Sequence, residues 1–305
     1  MSANTKEYGN AEYEIQKLLE SGSYKTVDFS LFNNINQIKL SPATLKHYRF
    51  ILEIYKDYLK EIMNLSSFER KKYLETLRNA DILDNHKLTK ENSFLMELYL
   101  KTQENNIGDE IIKRANGAIY QDGIKYIHFL LMEGASSNSK DHYNFRSNDH
   151  KFVGEYIDGK RIIQYFPLPY KDIELAIEEV LAYYNNRSNE NEETLLIKPF
   201  IIHGLIAALQ LFDDGNSRLA RLFQHIKLWH MTNDSYNLKL DLPSIYITRS
   251  SYPFRGKSRE LINNLVENAD DDAWNKWINF NLNRFEDQIY YNNNNLHSLN
   301  KLLKK

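Results

Sequence analysis

The 305-residue chain contains no cysteine, which excludes a disulfide framework and any Cys-ligated zinc or iron–sulfur centre. It has only 11 glycines and 6 prolines, too few turn formers for an all-β sandwich. It carries no charge excess: 39 Lys and Arg face 41 Asp and Glu, so no basic field exists to hold nucleic acid non-specifically. It has no long apolar run either. The most apolar stretch, Pro199 to Phe212, is interrupted by His203, Gly204 and Gln210 and falls short of the ~20 residues a spanning helix needs. The first residues, MSANTKEYGNAEYEIQ, include no apolar signal segment. What is present is 42% hydrophobic and 13% aromatic residues, enough for a sizeable core. The expectation is an all-α or mainly α protein, cytoplasmic, with no membrane or nucleic-acid partner.

Periodicity places the helices. Ser41-Pro42 reads as an N-cap followed by proline at the first helical position. From there Leu45, Tyr48, Leu52, Tyr55, Leu59 and Ile62 recur at three and four, one buried face of a long helix. Ser66 to Glu69 reads as a capping box opening the next. Helical patterns follow at about 90–104, 108–120 and 122–133, with a weaker one near Glu12 to Glu20. Gly134 to His150 is polar and loop-like. Asp158-Gly159 then separates two runs rich in Tyr, Ile and Phe, the pattern of a two-residue hairpin, ended by Pro167 and Pro169. Helices resume at about 171–186, 194–211, 217–232, 256–268 and 272–289. The Asn-rich, then basic end, YYNNNNLHSLNKLLKK, reads as a frayed terminus.

The chemistry concentrates in IIHGLIAALQLFDDGNSRLARLFQHIKLWH, residues 201–230. An apolar helix ends near Leu211, and an acidic turn, Asp213-Asp214-Gly215-Asn216, leads into a second helix with Asn216 suited as N-cap. Arg218 and Arg221 are three apart and so share a face. Unpaired amides at a helix N-terminus, the dipole and two arginines make an anion site. A carboxylate beside it could hold a divalent metal shared with phosphates. There is no GKS or GKT P-loop. His142, His150, His225 and His230 read as packing or surface residues.

Phe212 to Arg221 resembles the signature of the Fic (fido) family: His-Pro-Phe, any residue, Asp or Glu, Gly-Asn-Gly-Arg, two residues, Arg. His203 stands where the family often has a histidine two turns earlier. The Asp158-Gly159 hairpin with Phe166-Pro167-Leu168-Pro169 is similar to the family's flap, Asn144-Phe145-Arg146 resembles the segment preceding it, and Trp274 to Trp277 resembles a tryptophan-bearing closing helix. The resemblance covers about 90–285. It implies a Fic-fold helical bundle with one β-hairpin flap: an N-terminal helical region at 1–85, a Fic domain at 86–285 and a tail at 286–305. It also implies AMP transfer from ATP, with magnesium, to a hydroxyl of a target protein. Asp214 would be the metal ligand. Gly215, Asn216 and Ser217 would form the anion hole, with Arg218 and Arg221 on the phosphates. The flap at 152–167, with Tyr156, Ile157, Ile162 and Ile163, would hold a target segment by strand addition.

The departures bear on activity. Gln210 replaces the signature histidine, and a carboxamide takes no proton near neutral pH. Leu211 replaces the proline and Ser217 the second glycine. His203, seven residues before Gln210 on the same helix face and thus ~10 Å away, is no obvious replacement base. Ser93 and Glu97 fit the family's inhibitory helix (Ser or Thr, three residues, Glu), in which the glutamate pairs with the second signature arginine; Leu98 breaks the pattern's last position. The expectation is a nucleotide-phosphate pocket with weak or lost transferase activity. The alternatives are an active transferase of AMP or another phosphate-linked group using a different base, and a non-catalytic binding or regulatory module. The target protein is unspecified, and a homo-oligomer is compatible with the sequence.

Overall fold

In the computed structural model, the residues described are 27–33, 35–89, 118–132, 143–149, 152–157 and 160–303, with isolated positions at 17 and 20. Ser93, Glu97 and the helical pattern at 90–104 lie outside them, as do most of 12–20, Asp158-Gly159, and all of the 108–120 pattern except 118–120, which is not helical. The major helices are α1 (Pro42–Met63), α2 (Ser67–Thr89), α3 (Gln121–Met132), α4 (Ile173–Asn185), α5 (Ile197–Leu209), α6 (Asn216–Tyr236), α7 (Arg255–Asn268) and α8 (Asp271–Leu303). The one sheet among the described residues is the hairpin β1 (Val153–Ile157) and β2 (Lys160–Tyr165). The class is helical, as expected.

Local chemistry sets the boundaries. Ser41 caps α1 by accepting from the Thr44 amide at 3.1 Å, with Pro42 at the first position. The capping box at α2 is formed: the Glu69 amide donates to Ser66 Oγ at 3.3 Å, and the Ser66 amide donates back to Glu69 Oε2 at 2.9 Å. The hairpin pairs Ile157 with Lys160 and Tyr156 with Arg161, the register of a two-residue connection. An irregularity lies between Val153 and Gly154. Ile163 is partly buried and Tyr165 buried, so the hairpin is rooted at its second strand.

α5 is the axis of the core, with only His203 among its residues left partly exposed. It packs on α4, α6, α7 and α8. Gly204 permits the closest approach: an added Cβ would lie 2.9 Å from the Trp277 indole nitrogen, which donates to the Phe200 carbonyl at 2.8 Å. α1 runs along α8. Behind α5 lies a buried ionic group in which the Glu190 carboxylate receives Lys198 Nζ at 2.7 Å and Lys227 Nζ as well. Burial pushes Lys227 down to about 8, against the pull of Glu190. Two lysines on one carboxylate fix the 186–196 connection against α5 and α6.

The frayed terminus expected at 290–305 is corrected. α8 continues to Leu303, and Ile289, Asn292 and Leu296 are buried. Asn292 donates to the Tyr58 hydroxyl at 3.2 Å, and its carbonyl accepts from Tyr73 at 3.1 Å. Low-propensity asparagines stay helical because the first two helices dock on them.

Candidate functional site: a cavity at the start of α6

The turn between α5 and α6 departs from the sequence reading in two ways. α5 stops at Leu209, and Gln210 is left-handed with φ 48° and ψ 58°. Gln210 therefore lies beyond the helix and shares no helical face with His203. The N-cap of α6 is Gly215 at φ 78°, not Asn216. Asn216 is the first helical residue, and its side chain bonds backward. It accepts from the Phe212 amide at 2.9 Å and donates to the Phe212 carbonyl at 2.7 Å. Satisfying both backbone groups of a buried residue closes the turn as a rigid loop.

Neighbouring elements clamp the same turn. The His128 ring on α3 stacks on Phe212, centroids 3.6 Å apart and planes 2° apart, and its Nε2 lies 2.9 Å from the Asp214 carbonyl oxygen. A Cβ at residue 215 would sit 2.5 Å from Met132 Sδ and 2.9 Å from His128 Nε2, so both the positive φ and the space demand glycine. Arg146, buried in the segment before the flap, donates from Nε to the Gln210 carbonyl at 2.9 Å, while its amide donates to the Leu211 carbonyl at 3.0 Å. Its NH1 reaches the Asn148 carbonyl at 2.9 Å and its NH2 the Leu168 carbonyl. One guanidinium thus joins the turn to the foot of the flap.

This bracing leaves the start of α6 aimed at a cavity. The Leu219 amide bonds back to the Gly215 carbonyl at 3.0 Å, so the amides of Asn216, Ser217 and Arg218 precede that bond. Asp214, with 74% of its side chain exposed, lies 3.8 Å from Arg218, which is 13% exposed. Gln210, Asp214, Gly215, Asn216, Ser217, Arg218 and Arg221 all line one cavity of about 380 Å³. The seven residues assigned from the sequence to base, metal and phosphate positions are therefore brought together. Ile163 lies on β2, apart from that lining, and Tyr156, Ile157 and Ile162 are placed by their strand register.

Gln210 is engaged at both ends of its amide. Nε2 donates to the Ala207 carbonyl at 2.7 Å, and Oε1 accepts from Asn216 at 3.3 Å. His203 also lines the cavity, bonded to Gln224 and edge-on to Trp277 at 5.2 Å. Burial, then the charge of Arg221, push its pKa down to about 3, so it is neutral at pH 7. His225 is depressed to about 3 by the same causes. Its Nε2 accepts from the Ile247 amide at 3.2 Å, which makes it a structural acceptor.

Sequence reasoning missed His128 and the α7 part of the lining, and placed Arg146 only in the segment before the flap. His128 and Arg146 carry no local signal of contact with a turn far along the chain. The lining also takes Ser251 from the short helix Thr248–Ser251 and Arg255, Ser258 and Arg259 from α7. Arg255 and Arg259 are four apart at the start of a predicted helix, so their shared face was legible, but not what it faces.

Residues 118–228 match the Fic/DOC family. The fold is similar to the crystal structure of a Fic family protein from Desulfovibrio desulfuricans G20, with a TM-score of 0.58 at 18% identity, over 85% of this chain and 76% of that one. It is also similar to Fic-1 (residues 134–508) from C. elegans, with a TM-score of 0.53 at 13% identity, over 82% of this chain and 73% of that one. No curated protein matches the sequence. At these identities the solved structures establish the fold, and the span that matches the Fic/DOC family includes the whole turn.

Proposed function

We propose that this Fic-type domain binds a nucleotide, ATP in the first instance, through its phosphates. Its ancestry is that of enzymes moving AMP or another phosphate-linked group onto a protein hydroxyl, and its own transfer activity is weak or absent. In such a transfer the hydroxyl oxygen attacks phosphorus, pyrophosphate leaves in the case of AMP, and the hydroxyl proton goes to a base. The family resemblance puts that base at position 210. Gln210 has no site that takes a proton near neutral pH. The observation that carries the reading is the division of labour in the turn. The anion-binding groups, Gly215 to Ser217 with Arg218 and Arg221, line one cavity, while the amide of Gln210 is tied to Ala207 and Asn216 as a brace. Loss of a positioned base costs ~10²–10⁴-fold in rate, and phosphate binding does not depend on it.

Asp214 would hold magnesium together with the phosphates. Among the described residues no group of three acidic or histidine side chains could hold a metal, and a single exposed carboxylate suits a cation that takes its other ligands from phosphate and water. The ion would supply charge neutralisation on the phosphate oxygens. Glu97, with Ser93, is proposed as the inhibitory pair acting on Arg221, and the β1–β2 hairpin as the docking edge for a target segment.

Calorimetry with ATP and magnesium tests the pocket. Arg221→Ala should weaken binding about tenfold or more, the loss of a charge-assisted contact. Equal affinity in variant and parent, or no binding by the parent, would remove the pocket assignment.

A further inference from the structure

Arg146 is not part of the cavity lining, yet it holds the chain that leads into it. α5 ends in a left-handed residue, Gln210, and a residue other than glycine keeps that conformation where its surroundings impose it. Arg146 imposes it from one side. Its Nε donates to the Gln210 carbonyl at 2.9 Å and its own amide to the Leu211 carbonyl at 3.0 Å, so one residue satisfies two successive carbonyls just past the helix end. Asn216 fixes the next residue, Phe212, through both of its backbone groups. Phe145, beside Arg146, adds its ring against Phe212, with centroids 5.3 Å apart. The peptide planes from 210 to 212 are thus set by Arg146 and Asn216, and those planes direct the first turn of α6.

The rest of the guanidinium is anchored in the foot of the hairpin. NH1 donates to the Asn148 carbonyl at 2.9 Å and lies 3.3 Å from Asp149 Oδ1, and NH2 donates to the Leu168 carbonyl. Asp149 Oδ1 also accepts from the Tyr170 amide at 2.7 Å, so the segments on both sides of the hairpin meet at this junction. The Arg146 side chain is 1% exposed. A planar fork of donors serves several carbonyls in fixed directions, which an ammonium on a flexible stem does not. We infer that Arg146 is a positioning residue of the pocket. By holding the Gln210 and Leu211 carbonyls from the foot of the hairpin, it sets the direction of the amides at the start of α6. Phosphate affinity then depends on a side chain outside the lining. The inference rests on the nucleotide-phosphate reading of the turn and assigns part of its affinity to the hairpin's foot.

The test uses the full chain as parent, Arg146→Lys and Asp149→Ala. Affinity for ATP with magnesium is read by calorimetry, and amide hydrogen exchange is read residue by residue. The probes are the Phe212 amide, bonded to Asn216, and the Leu219 amide, bonded to Gly215, with amides of α8 as the reference. Loss of general stability speeds exchange throughout, whereas loss of a positioning contact opens the turn ahead of the rest. In Arg146→Lys the two turn amides should exchange at least about tenfold faster than in the parent, with α8 within about threefold. Affinity for ATP should fall by about tenfold. Affinity equal to the parent's overturns the inference, as does faster exchange spread evenly over the turn and α8. A loss of affinity with the turn's exchange unchanged overturns it too, because the effect would not pass through the turn. If Arg146→Lys does not fold, Asp149→Ala carries the test from a side chain that is 44% exposed. It loosens one anchor of the guanidinium and should speed the turn amides by about threefold or more, with α8 unchanged and ATP binding weakened. A turn that exchanges as in the parent overturns the inference. If the parent binds no ATP, the pocket reading fails, and the exchange pattern alone decides whether Arg146 positions the turn.

Discussion

At the scale of single residues, buried histidines set how the protein meets acid. His225 is held neutral by burial and by nearby Arg221 and His203, with its pKa near 3, and its unprotonated Nε2 accepts the Ile247 amide. In the unfolded chain it titrates near 6.5. The folded state therefore binds fewer protons between about 3 and 6.5. The stability this neutral form contributes is complete above 6.5 and is lost as pH falls through that window. His203, near 3, and His230, near 4, act in the same direction. Each contributes at most about 1.4 kcal/mol per pH unit. Denaturant unfolding between pH 7 and 4.5 should show falling stability. His225→Gln keeps an acceptor for Ile247 while removing the titration, so its slope should be shallower by about 1 kcal/mol per unit. An unchanged slope would contradict the assignment of His225 as a neutral acceptor.

At the scale of elements, the helices with a clean apolar period and a cap were legible within one or two residues. α1 begins at the predicted proline, α2 at the predicted capping box, and the hairpin has the register that Asp158-Gly159 implies. The failures have physical causes. The end of α8 was read as frayed because Asn292 to Asn295 are poor helix formers, yet Asn292 is bonded to Tyr58 and Leu296 is buried. Asn216 was read as a cap because its residue type favours that place. Its side chain is instead spent on Phe212, and glycine takes the left-handed cap. The difference at α8 can be measured. Leu296→Ala should cost about 2–5 kcal/mol in denaturant unfolding, as for a buried leucine in a packed helix. A cost near zero would restore the frayed terminus.

At the scale of the whole molecule, the sequence disclosed the turn and the family resemblance, but not what holds the turn or what faces it. Those are long-range facts: His128 from α3, Arg146 before the flap, and the α7 part of the lining. Together they describe a scaffold that braces the turn at the start of α6, with Gln210 as a structural amide at the position the proposal gives to the proton acceptor. The backbone would accept a histidine at residue 210, because that position is left-handed and histidine is among the residues enriched there. The most direct measurement is transfer of label from ATP labelled at the α-phosphate, with magnesium, by the parent, Gln210→His, Glu97→Gly and the double variant. The parent should label neither itself nor added protein. The double variant should label more than the two single changes combined, since one restores an imidazole titrating near neutral pH and the other removes the proposed block on Arg221. Efficient labelling by the parent would contradict the account, as would a double variant that binds ATP and stays silent.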